Sequence, residues 1–467
     1  MTSARFHDIH SGTRLLFIVE LIVLTAIYLV GLEADRTYFP DAIPKYWEGK
    51  LVLHFALFVF PIQLSILSVG LYNRKMRETF RGVIRRMFVS IALGYFISTA
   101  IYGLTPAEVL PGNVREWSCL AAFISLVLIR YMAVTLRYQH MGRQRVLILG
   151  AGERASIIER RMRRRADRVS FDLVGFVKMR GDAEKGIESD PIIELNTSLE
   201  AYVFENKVDE IVVASDERRS NLPVDSLFHC KLHGVEITDI LDFIERETGQ
   251  IAVNLIYPSW VIYSNGFQSN NYLRNAFDWL FNGVLAIFLL AITWPFMLLT
   301  AILIKIEDGL RSPVFYSQER IGLNGRPFKI VKFRSMTTDA EKNGAQMATK
   351  GDARVTRVGN FIRKYRIDEL PQLYNVLRGE MGFVGPRPER PYFVRELVLS
   401  IPYYNQRHNV KPGLTGWAQL KYPYGSTEED SLEKLKFDLY YIKHRSFLLD
   451  LLILVRTLEI VIFGKGI

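Results

Sequence analysis

Four long apolar runs near the N-terminus constrain this chain more than any other feature. Each is close to the roughly 20 residues that an α-helix needs to cross the hydrocarbon core of a bilayer. They are LLFIVELIVLTAIYLVGL (15–32), LVLHFALFVFPIQLSILSVGLY (51–72), VIRRMFVSIALGYFISTAIYGL (83–104) and CLAAFISLVLIRYMAVTL (119–136). Buried helices of a large soluble core are the alternative, but the short polar loops between the runs favour membrane spans. We therefore expect a four-helix transmembrane domain over residues 1–140.

Basic residues in the loops predict the orientation of these spans. The loop NRKMRETFRG is strongly basic, whereas loops 33–50 and 105–118 are mixed or slightly acidic. Lys and Arg collect in cytoplasmic loops of membrane proteins. Both ends of the four-helix domain are therefore expected in the cytoplasm.

Residues 141–265 follow a different pattern. The apolar strand in RVLILGAGERA leads into a helical stretch, and the strand-like segments FDLVGFV, DEIVVAS and VEITDI alternate with further helical segments. This alternation is typical of a Rossmann-like parallel α/β module. Its GxGxxA turn suits a phosphate at a helix N-terminus. However, Val177 and Lys178 stand where an acidic residue would hold a ribose, so a bound dinucleotide and a structural or regulatory module both stay open.

A further apolar segment, NAFDWLFNGVLAIFLLAITWPFMLLTAILIKI (275–306), carries Pro295 in its interior. A proline removes a helical hydrogen bond and breaks or kinks a helix. Residues 305–467 contain 27 basic and 18 acidic side chains, a net charge of +9. Because basic regions favour the cytoplasmic side, we prefer a re-entrant helix hairpin over 277–304, broken at Pro295, to a kinked span that would export this region.

Inside the basic region, YRIDELPQLYNVLRG places Asp368 and Glu369 side by side. An acidic first turn of a helix, with Asp368 as its cap, would explain the pair without any chemistry. The neighbouring cations favour chemistry, because Arg363 precedes the pair and Arg387 follows it between two prolines in GPRP. A carboxylate that attacks phosphorus needs cations to neutralise the phosphoryl oxygens. Asp368 is therefore the candidate nucleophile, with Glu369 as a metal ligand or a base.

Other candidate residues have weaker support. Lys332 and Arg334 occupy alternate positions of the strand-like KFRSM, so they share one face, towards either phosphate or solvent. Asp438 and Tyr441 are three residues apart in KFDLYYIKHRS and share a helical face. Ordinary surface charges explain these patterns about as well.

The strings DELPQL, GPRP and PGLTGWAQ, in this order, resemble the bacterial sugar transferases over about residues 270–467. These are monotopic phosphoglycosyl transferases, and the four spans with an α/β module resemble their long-form members. The resemblance implies a UDP-sugar donor, an undecaprenyl phosphate acceptor and Mg²⁺. It matches the family's Asp–Glu pair to Asp368 and Glu369, which would also hold the metal, and it places Lys332, Asp438 and Tyr441 near the site.

These observations predict a membrane protein of α + α/β class. Its C-terminal mixed α/β catalytic domain (270–467) would be anchored by the re-entrant hairpin on the cytoplasmic face of the bacterial inner membrane. Through an aspartyl-phosphosugar intermediate, it would transfer a hexose 1-phosphate, from UDP-glucose or UDP-galactose by analogy with the family. Membrane lipids are expected partners, a homodimer through the α/β module is left open, and nucleic acid is not expected.

Two other functions compete with this interpretation. A membrane-bound nucleotide-sugar epimerase or dehydratase needs a Tyr-x-x-x-Lys after the glycine turn, and this spacing occurs only at Tyr46 and Lys50, far upstream. A non-catalytic scaffold of polysaccharide assembly would tolerate loss of the Asp368 carboxylate.

Overall fold

The computed structural model describes most of the 467 residues. The described residues are 11–38, 51–72, 80–104, 112–135, 143–162, 168, 171–183, 186–217, 222–256, 260, 264, 266–267, 272–337, 352–422, 425 and 427–462. The chain forms two compact units, Met1–Phe243 and Ile244–Ile467.

Four helices coincide with the four N-terminal apolar runs. They are α1 (Ser11–Tyr38), α2 (Leu51–Ser68), α3 (Phe80–Leu104) and α4 (Gly112–Thr135). Within the described residues, α3 and α4 contain apolar stretches long enough to cross a membrane, Gly82–Gly103 and Arg115–Ala133. The apolar stretches of α1 and α2 are shorter, Leu15–Gly31 and Phe55–Ser68. That all four helices cross a membrane stays a prediction.

Charged side chains join three parts of this helical region. The guanidinium of Arg130 on α4 contacts the carboxylate of Glu20 on α1 at 2.6 Å, and both side chains are buried. Tyr72, just after α2, donates a hydrogen bond to Glu20, and Arg130 donates to the carbonyl oxygen of Leu71 at 2.7 Å. Ionic groups among apolar helices need internal partners, and this network supplies them for Glu20 and Arg130.

The α/β module has the predicted parallel sheet. Its elements are β1 (Gln144–Leu149), α5 (Glu153–Arg161), β2 (Phe171–Val177), β3 (Ile192–Ile193), α6 (Leu199–Glu205), β4 (Glu210–Val213), α7 (Val224–Leu232), β5 (Glu236–Asp239) and α8 (Ile240–Thr248). The strands pair in the order β3-β2-β1-β4-β5, all parallel. This order, 3-2-1-4-5, is that of a Rossmann-like doubly wound sheet, in which ligands bind at the carboxyl edge beside the first strand.

The second unit combines one long helix with several short elements. These are α9 (Tyr272–Asp308), β6 (Phe315–Ile321), β7 (Pro327–Phe333), α10 (Arg357–Lys364), α11 (Leu373–Leu377), β8 (Gly382–Val384), α12 (Pro391–Ser400), β9 (Gly413–Thr415), α13 (Trp417–Lys421), α14 (Glu428–His444) and α15 (Phe447–Ile462). Short 3₁₀ helices cover Val253–Leu255, Leu323–Gly325, Ile367–Gln372 and Tyr404–Asn409. Strands β6 and β7 form an antiparallel hairpin, and β8 pairs with β9 in parallel.

Helix α9 continues through Pro295, so the predicted division into two helices at this residue is absent. A proline removes one backbone donor, and packing along the rest of a helix can offset that loss. One side of α9 packs against the unit: Ala286 lies in a cluster with Leu373 and Phe383, and Ile304 lies in another with Phe333. The remaining surface of α9 is dominated by exposed apolar side chains.

Both ends of α9 are bound to the same unit. Near its start, Asp278 forms an ion pair with Arg445. At its end, Asp308 contacts Arg334 at 2.5 Å, and Glu307 accepts hydrogen bonds from the backbone N–H groups of Arg357 and Val358. The apolar middle of the helix therefore lies between two polar attachments to one folded unit.

Candidate active site

The acid pair lies in the 3₁₀ helix Ile367–Gln372, between α10 and α11. Thr356 caps α10 by accepting a hydrogen bond from the Gly359 N–H at 2.9 Å. The chain then turns at Arg366, which has a left-handed φ of 58°. Asp368 does not cap a helix, because the 3₁₀ turn begins before it and has no side-chain cap. The acid pair is thus presented by a tight turn.

Glu369 is held by three cations. Its Oε1 contacts the Lys332 ammonium at 3.0 Å and the Arg387 guanidinium at 3.1 Å, and its Oε2 lies 3.6 Å from Arg366. Burial alone would raise the pKa of this carboxyl, but Lys332, Arg387 and Arg366 together lower it below its usual range. Glu369 is therefore ionised at neutral pH and neutralises cations that would otherwise repel one another.

Asp368 has a different environment. It is 9% exposed, and burial, followed by the charge of Glu369, raises its pKa to about 6. Lys332, Arg366 and Arg363 act in the opposite direction. In the described part of the chain, no hydrogen bond to this carboxylate contributes to the shift. Asp368 is thus a buried carboxylate that is ionised at neutral pH and accepts no hydrogen bond from the described residues.

The two cations of KFRSM go to different places. Lys332 on β7 reaches Glu369, and burial lowers the pKa of its ammonium despite the nearby acids. Arg334, just beyond β7, is 5% exposed and pairs with Asp308 at the end of α9. Although Lys332 and Arg334 occupy alternate positions, their side chains bind different acidic residues. Arg363, on the last turn of α10, is close enough to Asp368 to lower the pKa of its carboxyl.

The GPRP loop is fixed by its backbone. The Gly385 N–H donates to the Thr415 carbonyl oxygen at 2.9 Å, and the Gly413 N–H donates to the Pro386 carbonyl oxygen at 3.0 Å. A Cβ atom on Gly385 would lie 2.3 Å from the Lys411 carbonyl oxygen, so this approach requires glycine. The strings GPRP and PGLTG therefore form one pairing that carries Arg387 to Glu369.

Arg407 is a residue that the sequence interpretation missed. Its buried guanidinium donates to the Arg387 carbonyl oxygen at 2.9 Å and to the Tyr404 hydroxyl at 2.7 Å, and it pairs with Asp438 at 2.9 Å. Asp438 thus acts on the site through Arg407. An arginine followed by a histidine in the short string QRHN carries no sequence signal of such a role.

Tyr441 lies elsewhere. Its hydroxyl donates to the Asp450 carboxylate at 2.8 Å, and it lines a cavity of about 210 Å³ beside the start of α9. Asp450 also binds Arg274. The acid pair does not line this cavity. Tyr441 therefore supports the attachment of α9.

The acid pair suits a magnesium ion that arrives with a diphosphate. The described residues contain no group of three or more His, Cys, Asp or Glu side chains that would enclose a metal. Mg²⁺ is usually bound by only one or two carboxylates together with water and substrate phosphates. Asp368, which accepts no hydrogen bond from the residues that the structure describes, and Glu369 beside it provide such a pair of carboxylates.

The chain is similar to known proteins in both of its regions that match a family model. Residues 270–464 match the family model described as bacterial sugar transferase, and residues 68–219 match a model described as a CoA-binding domain. A UDP-glucose:undecaprenyl-phosphate glucose-1-phosphate transferase of Xanthomonas campestris pv. campestris is 32% identical over 466 residues, covering 94% of this chain and 92% of the relative.

Two further relatives align over shorter regions. A UDP-N-acetylgalactosamine-undecaprenyl-phosphate N-acetylgalactosaminephosphotransferase of Aeromonas hydrophila is 40% identical over 240 residues, covering 51% of this chain and 55% of the relative. The exopolysaccharide production protein PSS of Rhizobium leguminosarum bv. phaseoli is 39% identical over 194 residues, covering 40% of this chain and 92% of the relative.

Proposed function

The chain belongs to the bacterial sugar transferase family, and from this premise we propose that it transfers a hexose 1-phosphate from a UDP-sugar to undecaprenyl phosphate and releases UMP. The observation that carries the proposal is the buried Asp368 carboxylate, ionised at neutral pH, beside an ionised Glu369 that gathers Lys332 and Arg387. The product would begin a repeat unit of an exopolysaccharide or O-antigen. UDP-glucose and UDP-galactose are the proposed donors.

The first step is a displacement at phosphorus. A carboxylate oxygen of Asp368 attacks the sugar-bearing phosphorus of the donor and forms an acyl–phosphate bond, while the bond from this phosphorus to the bridging oxygen breaks. UMP leaves with that oxygen, and the enzyme keeps an aspartyl-phosphosugar. In the second step, a phosphate oxygen of undecaprenyl phosphate attacks the same phosphorus, and Asp368 leaves as the free carboxylate.

The neighbouring cations give these steps their electrostatic support. Lys332 and Arg387 are pre-positioned by Glu369, so they need little rearrangement to meet the phosphoryl oxygens. Arg363 lies on the Asp368 side of the pair. Asp368 and Glu369 would hold Mg²⁺, which supplies charge neutralisation of the diphosphate when bound.

The proposed membrane placement rests on the attachments of α9. A straight helix of 37 residues is about 55 Å long, whereas the hydrocarbon core is about 30 Å thick. Both ends of α9 bind the C-terminal unit, so a straight crossing of the membrane would pull one end away from it. We favour a helix that enters and leaves by the cytoplasmic face of the inner membrane, bent at Pro295, with the lipid carrier's phosphate reaching the acid pair at that face.

The decisive test uses the full-length protein in detergent or nanodiscs with a short polyprenyl phosphate and a panel of UDP-glucose, UDP-galactose and UDP-N-acetylgalactosamine. We expect UMP release with one or more donors, and capture of a phosphosugar adduct on Asp368 when the acceptor is left out. UMP release that needs both substrates bound, with no adduct trapped, would contradict the two-step mechanism.

The matched variants are Asp368→Asn and Glu396→Gln. The first removes the nucleophile and should abolish both turnover and adduct, whereas Glu396 lies exposed on α12 and its variant should keep both. Because burial disfavours the charged form of Asp368, Asp368→Asn should not lower the thermal stability. Turnover by the Asp368→Asn protein would refute the nucleophile assignment, whereas a variant without turnover that still supports polysaccharide synthesis in cells would favour the scaffold function.

A further inference from the structure

The CoA-binding model matches residues 68–219, which include the first part of the α/β module, and the GxGxxA turn of this module is the feature that would receive a phosphate. In such sites, free backbone N–H groups at the start of the helix after the first strand point at the phosphate oxygens. Here the turn runs from Gly150 at the end of β1 to the start of α5 at Glu153. The N–H groups of Gly150, Ala151, Glu153 and Arg154 already have acceptors within the chain.

The carboxylate of Asp216 takes the place of an anion at α5. One of its oxygens accepts a hydrogen bond from the Glu153 N–H at 2.9 Å, and the other accepts one from the Arg154 N–H at 2.9 Å. Ala183 donates a third hydrogen bond at 3.2 Å. A negative charge at this end of a helix is stabilised by the aligned peptide dipoles. Asp216 follows β4, so it comes from the sheet edge where a ligand would bind.

A second carboxylate closes the rest of the turn. Asp182 accepts hydrogen bonds from the Ala151 N–H at 2.8 Å and from the Met179 N–H at 2.9 Å. It also accepts bonds from the Ser215 hydroxyl and from the N–H of Asp216 itself. Asp182 therefore connects the glycine turn to the segments that follow β2 and β4.

The second glycine of the motif serves the same arrangement. A Cβ atom on Gly152 would lie 1.9 Å from the Asp216 carboxylate oxygen, so a side chain here would displace the carboxylate. A Cβ atom on Gly186 would lie 1.8 Å from the Ala151 carbonyl oxygen, which shows how closely another segment covers the turn. The glycines are thus explained without a cofactor.

We infer that Asp216 is a built-in substitute for a cofactor phosphate, so this turn does not bind CoA or a dinucleotide. A phosphate entering the turn would meet a carboxylate of the same sign and would have to replace its hydrogen bonds to Glu153 and Arg154. The end of β2 offers Val177 and Lys178 in place of an acidic ribose partner. The residues of this module therefore do not fit the cofactor that its family model implies.

Hydrogen–deuterium exchange of the full-length protein tests this inference locally. In Asp216→Ala, the Glu153 and Arg154 amides lose a charged acceptor, so the peptide that contains them should exchange at least about fivefold faster. Inorganic phosphate should restore protection of this peptide in the variant, with chloride at equal ionic strength as control. Phosphate, CoA and NAD⁺ should leave the exchange of the unmodified protein unchanged.

Asp172→Ala is the matched control, because Asp172 is an exposed carboxylate of the same module paired with Arg143 at 3.1 Å. Its exchange around α5 should equal that of the unmodified protein. If Asp216→Ala fails to fold, Asp216→Asn keeps the shape and carries the same prediction of phosphate-dependent protection. Saturable protection of the turn by CoA or NAD⁺ in the unmodified protein, or no phosphate effect in the folded variants, would overturn the inference.

Discussion

At the scale of single residues, the two adjacent acids differ because their neighbours differ. Glu369 faces Lys332 and Arg387, whereas Asp368 is buried and, in the part of the chain that the structure describes, its carboxylate accepts no hydrogen bond. The sequence predicted that cations would surround the pair. It named Lys332 and Arg334 together, because they have the same strand phase, and only the packing of the β-hairpin on α9 separates them.

The ionisation of Asp368 predicts the pH dependence of the reaction. Its pKa is about 6, and only the ionised carboxylate attacks phosphorus, so adduct formation should rise as the pH increases from 5 to 7. Single-turnover rates of UMP release across this range measure the effect. Asp438 also has a pKa raised by burial to about 6, so the profile of Asp438→Asn is the control. If the rate of Asp438→Asn no longer rises between pH 5 and 7, the pH dependence belongs to Asp438 and not to Asp368.

Arg407 is predicted to be a positioning residue. Lysine at this place keeps the charge beside Asp438 but lacks the fork that also reaches Tyr404 and the Arg387 carbonyl oxygen. A displacement of Arg387 by about 1 Å would slow the reaction strongly, so Arg407→Lys should lower kcat/KM about 10- to 100-fold. Arg395→Lys, at an exposed position of α12, is the control.

The readout for Arg407 has to exclude a general loss of structure. We expect unchanged thermal stability and a fall in kcat that exceeds the change in KM for the UDP-sugar. An equal loss of activity and stability in Arg407→Lys would show that the residue only maintains the fold.

At the scale of elements, the helices and strands follow their local sequence signals, and their ends follow tertiary contacts. The parallel α/β alternation appears as predicted, in the order β3-β2-β1-β4-β5. The predicted interruption of the long apolar segment at Pro295 does not, since α9 is one helix. A proline weakens a helix locally. The packing of Ala286 and Ile304, which stabilises α9, involves residues distant in the sequence, so the local pattern does not predict it.

Cysteine labelling tests the placement of α9. Tyr272 is the first residue of α9, and Leu310 lies two residues beyond its end. Their side chains are 89% and 84% exposed. With Cys119 and Cys230 replaced, Tyr272→Cys and Leu310→Cys should both react with a membrane-impermeant maleimide from the cytoplasmic face. A cysteine in the loop 33–50, predicted to lie on the opposite face, is the control. Labelling of the two positions from opposite faces would mean that α9 spans the membrane.

The Glu20–Arg130 pair predicts how the N-terminal helices hold together. Glu20→Ala leaves the guanidinium of Arg130 buried without its carboxylate, which typically costs about 3–5 kcal/mol. The thermal unfolding temperature in detergent should fall accordingly. Glu33→Ala, at an exposed position of the same helix, should have little effect. The double variant Glu20→Leu with Arg130→Met should recover much of the lost unfolding temperature. Equal unfolding temperatures for all these proteins would contradict a stabilising ion pair.

At the scale of the whole molecule, the positive charge is concentrated in the C-terminal third of the chain. The chain has a net charge of +10, and +9 of this lies in residues 305–467, which contain the acid pair. A basic surface attracts anionic lipid headgroups and phosphorylated substrates. The chain forms two compact units, and residues 270–464, which match the transferase family model, fall within the second.

The sequence by itself determined the membrane character, the parallel α/β module, and the identity of the acid pair with its basic surroundings. These properties depend on composition, periodicity and short motifs, which are local in the chain. Only the tertiary structure decided that Lys332 meets Glu369, that Arg407 holds the loop of Arg387, and that Asp216 fills the glycine turn. These three contacts join residues that are 37, 20 and 63 positions apart, and their geometry is set by packing between elements, which no local pattern encodes.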